Sequence, residues 1–176
     1  MTQTLTKKIV EDKLRQEFGE NILNVYEPYG MLTIEVSNDK IGEIIKYLKE
    51  DEELEFTFLT DLCGMHYEST DQLGVVYLMH QLPQNIQIRL KTFMPKSNPE
   101  TQSLTHLFSA ANWLERETYD FFGIIFKGHP DLRRIMNVDE MDYFPLRKEY
   151  PLEDLTRTDK DDSMFGREGN YDIKLN

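Results

Sequence analysis

At 176 residues, with 39% hydrophobic and 30% charged side chains and a formal net charge of -12, the chain has the size and composition of one globular domain. It lacks the positive surplus that a general nucleic-acid binder needs. A single cysteine, Cys63, excludes an internal disulfide, a cysteine-rich zinc site and the all-thiolate cage of an iron–sulfur cluster.

Near the start, Lys7, Lys8, Glu11, Asp12 and Lys13 stand where an export signal would need an apolar run, so the chain is expected in the cytoplasm. Ile9, Val10, Leu14 and Phe18 recur at helical spacing and Gly19 follows as a stop, which predicts an amphipathic helix over Thr6 to Phe18. Two short β-prone runs, Asn21 to Tyr26 and Met31 to Val36, flank Glu27-Pro-Tyr-Gly30 and read as a hairpin. Asn38 or Asp39 is expected to cap a second helix through Ile41, Ile44, Ile45 and Leu48. Three further strands are predicted at Leu54 to Asp61, Leu73 to His80 and Ile86 to Phe93, the last with the clean alternation of a sheet solvated on one face. Lys96 to Ser103 reads as a polar loop. It leads into a helical stripe through Leu104, Leu107, Phe108, Ala111 and Leu114, as one helix or two kinked near Ser109, then a short strand over Ile124 to Phe126. The expected fold class is α+β: a mostly antiparallel sheet with helices on one face, a proline- and arginine-rich extended C-terminal segment, and an arm. The expected single domain spans 1–154, with 155–176 as an extended arm or flexible tail. The best apolar runs, Leu73 to Met79 and Phe121 to Phe126, fall short of the roughly 20 residues that span a bilayer, so any membrane association is expected to be indirect.

The familiar chemical motifs are missing. His66, His80, His106 and His129 form no close ligand pair and are read as structural. The stretch from Asp159 to Glu168 fails as a calcium loop because Met164 stands where the turn glycine belongs. Cys63 is expected to be a buried strand cysteine. On the helix at Glu115 to Asp120, Arg116 and Asp120 lie four apart and suggest a solvated ion pair, whereas Glu115 and Glu117 must face different sides and cannot share a proton. What stands out is a bias in the cations. Only Arg15 and Arg89 precede Arg116, while most lysines do. Guanidinium, weakly hydrated and able to grip a carboxylate bidentately, suits interfaces. Pro130, Pro145 and Pro151 stiffen the same stretch, which lowers the entropy lost on docking. The competing arrangement folds this segment back on its own domain, with Asp131 and Glu149 pairing the arginines. A third reading is an enzyme using His129 and Asp131 with a bound metal.

Read in order, ERETYDFFGIIFKGHPDLRRIM and then FPLRKEYPLED closely resemble the signature of the C subunit of the proton-pumping NADH:quinone oxidoreductase, respiratory complex I. The matching positions run from Glu115 to Leu152, and two depart from the family pattern: Phe144 stands where a histidine is usual and Glu149 where aspartate is usual. The resemblance implies an α+β subunit of the peripheral arm, on the cytoplasmic side of the cell membrane, packed against the D and B subunits near the quinone-reducing module. It implies no cofactor in this chain, with FMN and iron–sulfur clusters held by partner subunits. A related domain is similar in some membrane-bound hydrogenases, so a subunit of such a complex, or a stand-alone binding module, remains the alternative. Cation bias and signature together make Glu115, Arg116, Glu117, Asp120, His129, Pro130, Asp131, Arg133, Arg134, Arg147, Lys148 and Tyr150 the expected partner-docking residues. No catalytic, cofactor-binding or metal residue is expected.

Overall fold

The computed structural model describes residues 5–150; the predicted arm at 155–176 lies outside them. Helix α1 (Lys7–Phe18) starts where the Thr6 hydroxyl accepts the Ile9 N–H at 3.3 Å and ends at Gly19, with Val10 and Leu14 buried. Strands β1 (Ile22–Tyr26) and β2 (Leu32–Val36) pair antiparallel across the turn at Pro28–Gly30, as their sequence predicts. Helix α2 (Ile41–Glu50) buries Ile41, Ile44, Ile45 and Leu48. Its start differs from expectation: a 3₁₀ turn over Asn38–Lys40 leads in with no side-chain cap. The Asn38 amide is used elsewhere, donating to the Glu100 carbonyl at 2.7 Å.

The run from Leu54 is also not strand at its beginning. Glu55 takes a left-handed φ of 47°, and the Phe56 N–H returns to the Leu48 carbonyl at 2.9 Å, so Leu54 and Phe56 close the exit of α2 as buried plugs. The strand proper, β3 (Phe58–Tyr67), begins later and runs further, followed by β4 (Gln72–Gln81) and β5 (Ile86–Pro95). The five strands stand in the order β1-β2-β5-β4-β3, with β2 and β5 parallel and every other pair antiparallel. Register aligns Ile34, Leu90, Tyr77 and Leu62 in one cross-strand row. These residues share one hydrophobic cluster with side chains of all three helices, which places the helices on that face. Cys63 falls on the opposite face and is exposed, not buried as expected, because β3 extends through it with the other parity.

The polar stretch after Lys96 contributes a strand that its sequence does not announce: β6 (Glu100–Gln102) pairs parallel with β7 (Ile125–Lys127). Turns occupy 105–110, and only then does α3 (Ala111–Phe122) begin. A Cβ on Gly64 of β3 would lie 2.5 Å from the Phe122 ring, so the missing side chain sets how closely α3 approaches the sheet.

Candidate functional site

Residues 128–150 form no helix or strand, yet they are held at many points, and almost every anchor is on α3. The centre is Asp120, whose side chain is fully buried. Its Oδ1 accepts from the Arg134 guanidinium at 2.8 Å and from the Asn137 amide at 3.0 Å. Its Oδ2 accepts the backbone N–H groups of Ile135, Met136 and Asn137 at 3.0, 2.7 and 3.0 Å. Burial alone would raise this carboxyl's pKa; the Asn137 and Met136 donors and Arg134 overcome it and hold the group well below the usual carboxylate range. Three further N–H groups of Arg134 donate to the carbonyls of Asp120, Met141 and Tyr143 at 2.9, 2.9 and 3.0 Å.

The C-terminal end of α3 is closed by the same segment. The Leu146 N–H and the Arg147 Nε donate to the carbonyls of Phe121 and Phe122 at 3.2 and 2.7 Å, satisfying groups that a helix end leaves open and putting a cation at the negative pole. Between the two arginines lies Phe144, its ring 5.0 Å from the Arg134 guanidinium and 4.6 Å from that of Arg147. Here the departure from the expected histidine acquires a physical meaning, since an aromatic face is attracted to both cations. Gly123 must be glycine twice over: its φ is 74°, and a Cβ would lie 2.5 Å from Phe144 and 2.7 Å from Arg147 Nη2.

Arg116 does not pair with Asp120 as its spacing suggests. It donates to the Arg133 and Arg134 carbonyls at 3.2 and 3.3 Å and lies over the exposed Trp113 ring. Both ring nitrogens of His129 are engaged, Nε2 against the Asn112 carbonyl at 3.1 Å and Nδ1 accepting the Asp131 N–H at 3.0 Å. Further on, the buried His66 of β3 accepts the Lys148 N–H at 2.9 Å, and Glu149 meets Lys96 at 3.1 Å. The segment therefore does fold back, but with Asp120 in place of Glu149 as the acid that pairs an inward arginine.

The twelve expected docking residues divide accordingly. Glu115, Arg116 and Asp120 are buried, Arg134 and Arg147 are turned inward, and His129 closes its own turn. Glu117, Pro130, Asp131, Arg133, Lys148 and Tyr150 are exposed, with Arg133 bridged to Asp131 at 3.0 Å. Sequence reasoning missed the outward apolar side chains, Met136 at 68% and Val138 at 63% exposure, and the exposed Tyr143 and Tyr150, whose rings meet at a tilt with centroids 4.9 Å apart. It also missed the latch at His66 and Lys96. Among the described residues no group of three or more His, Cys, Asp and Glu side chains could hold a metal ion, and no helix is long and apolar enough to cross a membrane.

The fold and the site together define a class, an α+β domain whose third helix is clamped by an arginine-rich strap, and comparison with known proteins gives that class its family. Residues 34–156 match the family described as respiratory-chain NADH dehydrogenase, 30 Kd subunit, and the chain belongs to it. It is similar to the C subunit of NADH-quinone oxidoreductase from Geotalea uraniireducens, 42% identical with 80% of this chain and 85% of that one covered. The C 2 subunit of the same oxidoreductase from Rhizobium etli is 38% identical over 89% of this chain and 82% of its own. Among solved structures, Nqo5 as a trypsin-resistant fragment superposes with a TM-score of 0.61 at 28% identity, covering 70% of this chain and 98% of that one. A chain of the membrane-bound sulfane sulfur reductase, an archaeal respiratory membrane complex, shares the fold with a TM-score of 0.71 at 20% identity, covering 88% of this chain and 95% of that one.

Proposed function

We propose that this chain is a non-catalytic structural subunit of the peripheral arm of NADH:quinone oxidoreductase, and that residues 128–150 dock it beside the quinone-reducing module. Its partners are chiefly the D and B subunits, on the cytoplasmic side of the membrane, and FMN and the iron–sulfur clusters reside in partner subunits. The observation that carries this reading is the lock between Asp120 and the strap. Five donors from residues 134–137 converge on one buried carboxylate, which holds an irregular segment rigid while Met136, Val138 and Tyr143 stay outside. A pre-ordered surface that presents Met, Val and Tyr side chains loses little entropy on binding and has the make-up of an interface centre. Support for a non-catalytic role comes from the groups a metal enzyme would need: both His129 nitrogens are taken by the backbone and Asp131 is bridged to Arg133.

The test is made on the purified full-length chain, by absorption spectroscopy, metal analysis and an assay of NADH oxidation with a soluble quinone. No visible chromophore, no stoichiometric metal and no turnover are expected. Bound flavin, stoichiometric iron or zinc, or measurable turnover overturns the reading.

A further inference from the structure

Helix α3 carries a second fully buried carboxyl, Glu115, whose surroundings are the opposite of those of Asp120. One oxygen, Oε1, accepts the Leu104 N–H at 2.6 Å; the other, Oε2, is buried with no partner. The groups that bear on it are the Leu104 N–H and the Ser103 hydroxyl from the 103–104 turn and the Tyr77 phenol from β4, and no Lys, Arg or His of the described residues is among them. An ionised carboxylate here would be a buried charge with no counter-ion and one oxygen left without a donor, whereas the protonated acid brings no charge into the interior.

We propose that Glu115 is a proton-binding switch: the folded domain holds it protonated, and ionisation, by placing an uncompensated charge in the interior, loosens the packing of the 103–104 turn against α3. Burial pushes its pKa up to about 7, against only partial relief from the Leu104 N–H and the Ser103 hydroxyl. The folded state thus binds the proton more tightly than the unfolded chain, so the stabilisation is complete below the usual glutamate range and is lost as the pH rises through about 7. The switch concerns the interior joint and is independent of where the strap docks.

The experiment compares the full-length chain with Glu115→Gln, which keeps an oxygen for the Leu104 N–H and cannot ionise. Denaturant unfolding is followed at pH 5 and pH 8. The unfolding constant of the natural chain, divided by that of the variant, is expected to rise on the order of 50-fold between the two pH values. Amide exchange at Leu104, corrected for its intrinsic pH dependence, is expected to speed up at pH 8 in the natural chain alone. A ratio that stays constant across this range overturns the proposal. If the variant does not fold, the natural chain is titrated by carbon-13 resonance of its glutamate carboxyls. A buried carboxyl with its midpoint between pH 6 and 8 supports the switch, and every glutamate titrating below pH 5 overturns it.

Discussion

Asp120 and Glu115 show how two carboxyls of one helix, both without solvent exposure, are driven to opposite states by the donors around them. Around Asp120 the donors come from one short stretch, so the charge is fully compensated and Arg134, only 8% exposed, has its counter-ion. Asp120→Asn turns one acceptor into a donor among donors and strands that guanidinium. Breaking a buried pair in this way costs about 3–5 kcal/mol, expected as a large drop in the denaturation midpoint, whereas a loss under about 1 kcal/mol would contradict the account. Because the folded-state pKa of Asp120 is depressed, its contribution is complete above the ordinary carboxylate pKa of about 4 and is lost as the pH falls below it. The Asn variant should therefore lose less stability than the natural chain on acidification from pH 4 to pH 2.

At the scale of elements, the strap and α3 form one unit, with the strap's far end fastened to the sheet. His66 supplies an acceptor for the Lys148 N–H and Lys96 a cation for Glu149. Replacing His66 with leucine removes the acceptor; exchange of the Lys148 amide should accelerate about tenfold while amides of central strand β4 keep their protection. Unchanged exchange at Lys148 would show that the bond holds nothing. Much of this framework was legible beforehand. The period of Val10 and Leu14 marks α1, and the alternation from Ile86 marks β5. Other parts were not legible, for definite reasons. Alternation tells which residues share a face but not which strands are neighbours, so the parallel pairing of β2 with β5 carried no signal. β6 is three residues long and polar, made a strand only by β7 and by the Asn38 amide. Leu54 and Phe56 look like strand because both are buried, although the backbone between them turns. At the site, the arginines were recognisable as important but their direction was not, because no spacing rule pairs Asp120 with donors fourteen to seventeen residues later.

For the whole molecule, the consequence is that among the described residues Arg116, Arg134 and Arg147 serve to build the strap, while the surface it presents is apolar at Met136, Val138 and Tyr143 with the exposed acids Asp139, Glu140 and Asp142 beside them. A net charge of -12 opposes self-association of such a surface and complements a partner with an apolar patch rimmed by cations. Membership of the 30 Kd subunit family makes other subunits of the respiratory complex the natural partners. The most direct measurement is recovery of the D and B subunits with a tagged form of this chain, natural or carrying Met136→Asp together with Val138→Asp. Both side chains are mostly exposed, so the variant should fold with an unchanged denaturation midpoint, yet each new charge must be desolvated at the interface. Recovery is expected to fall at least about tenfold; a folded variant that retains both partners at the natural level would contradict the docking role.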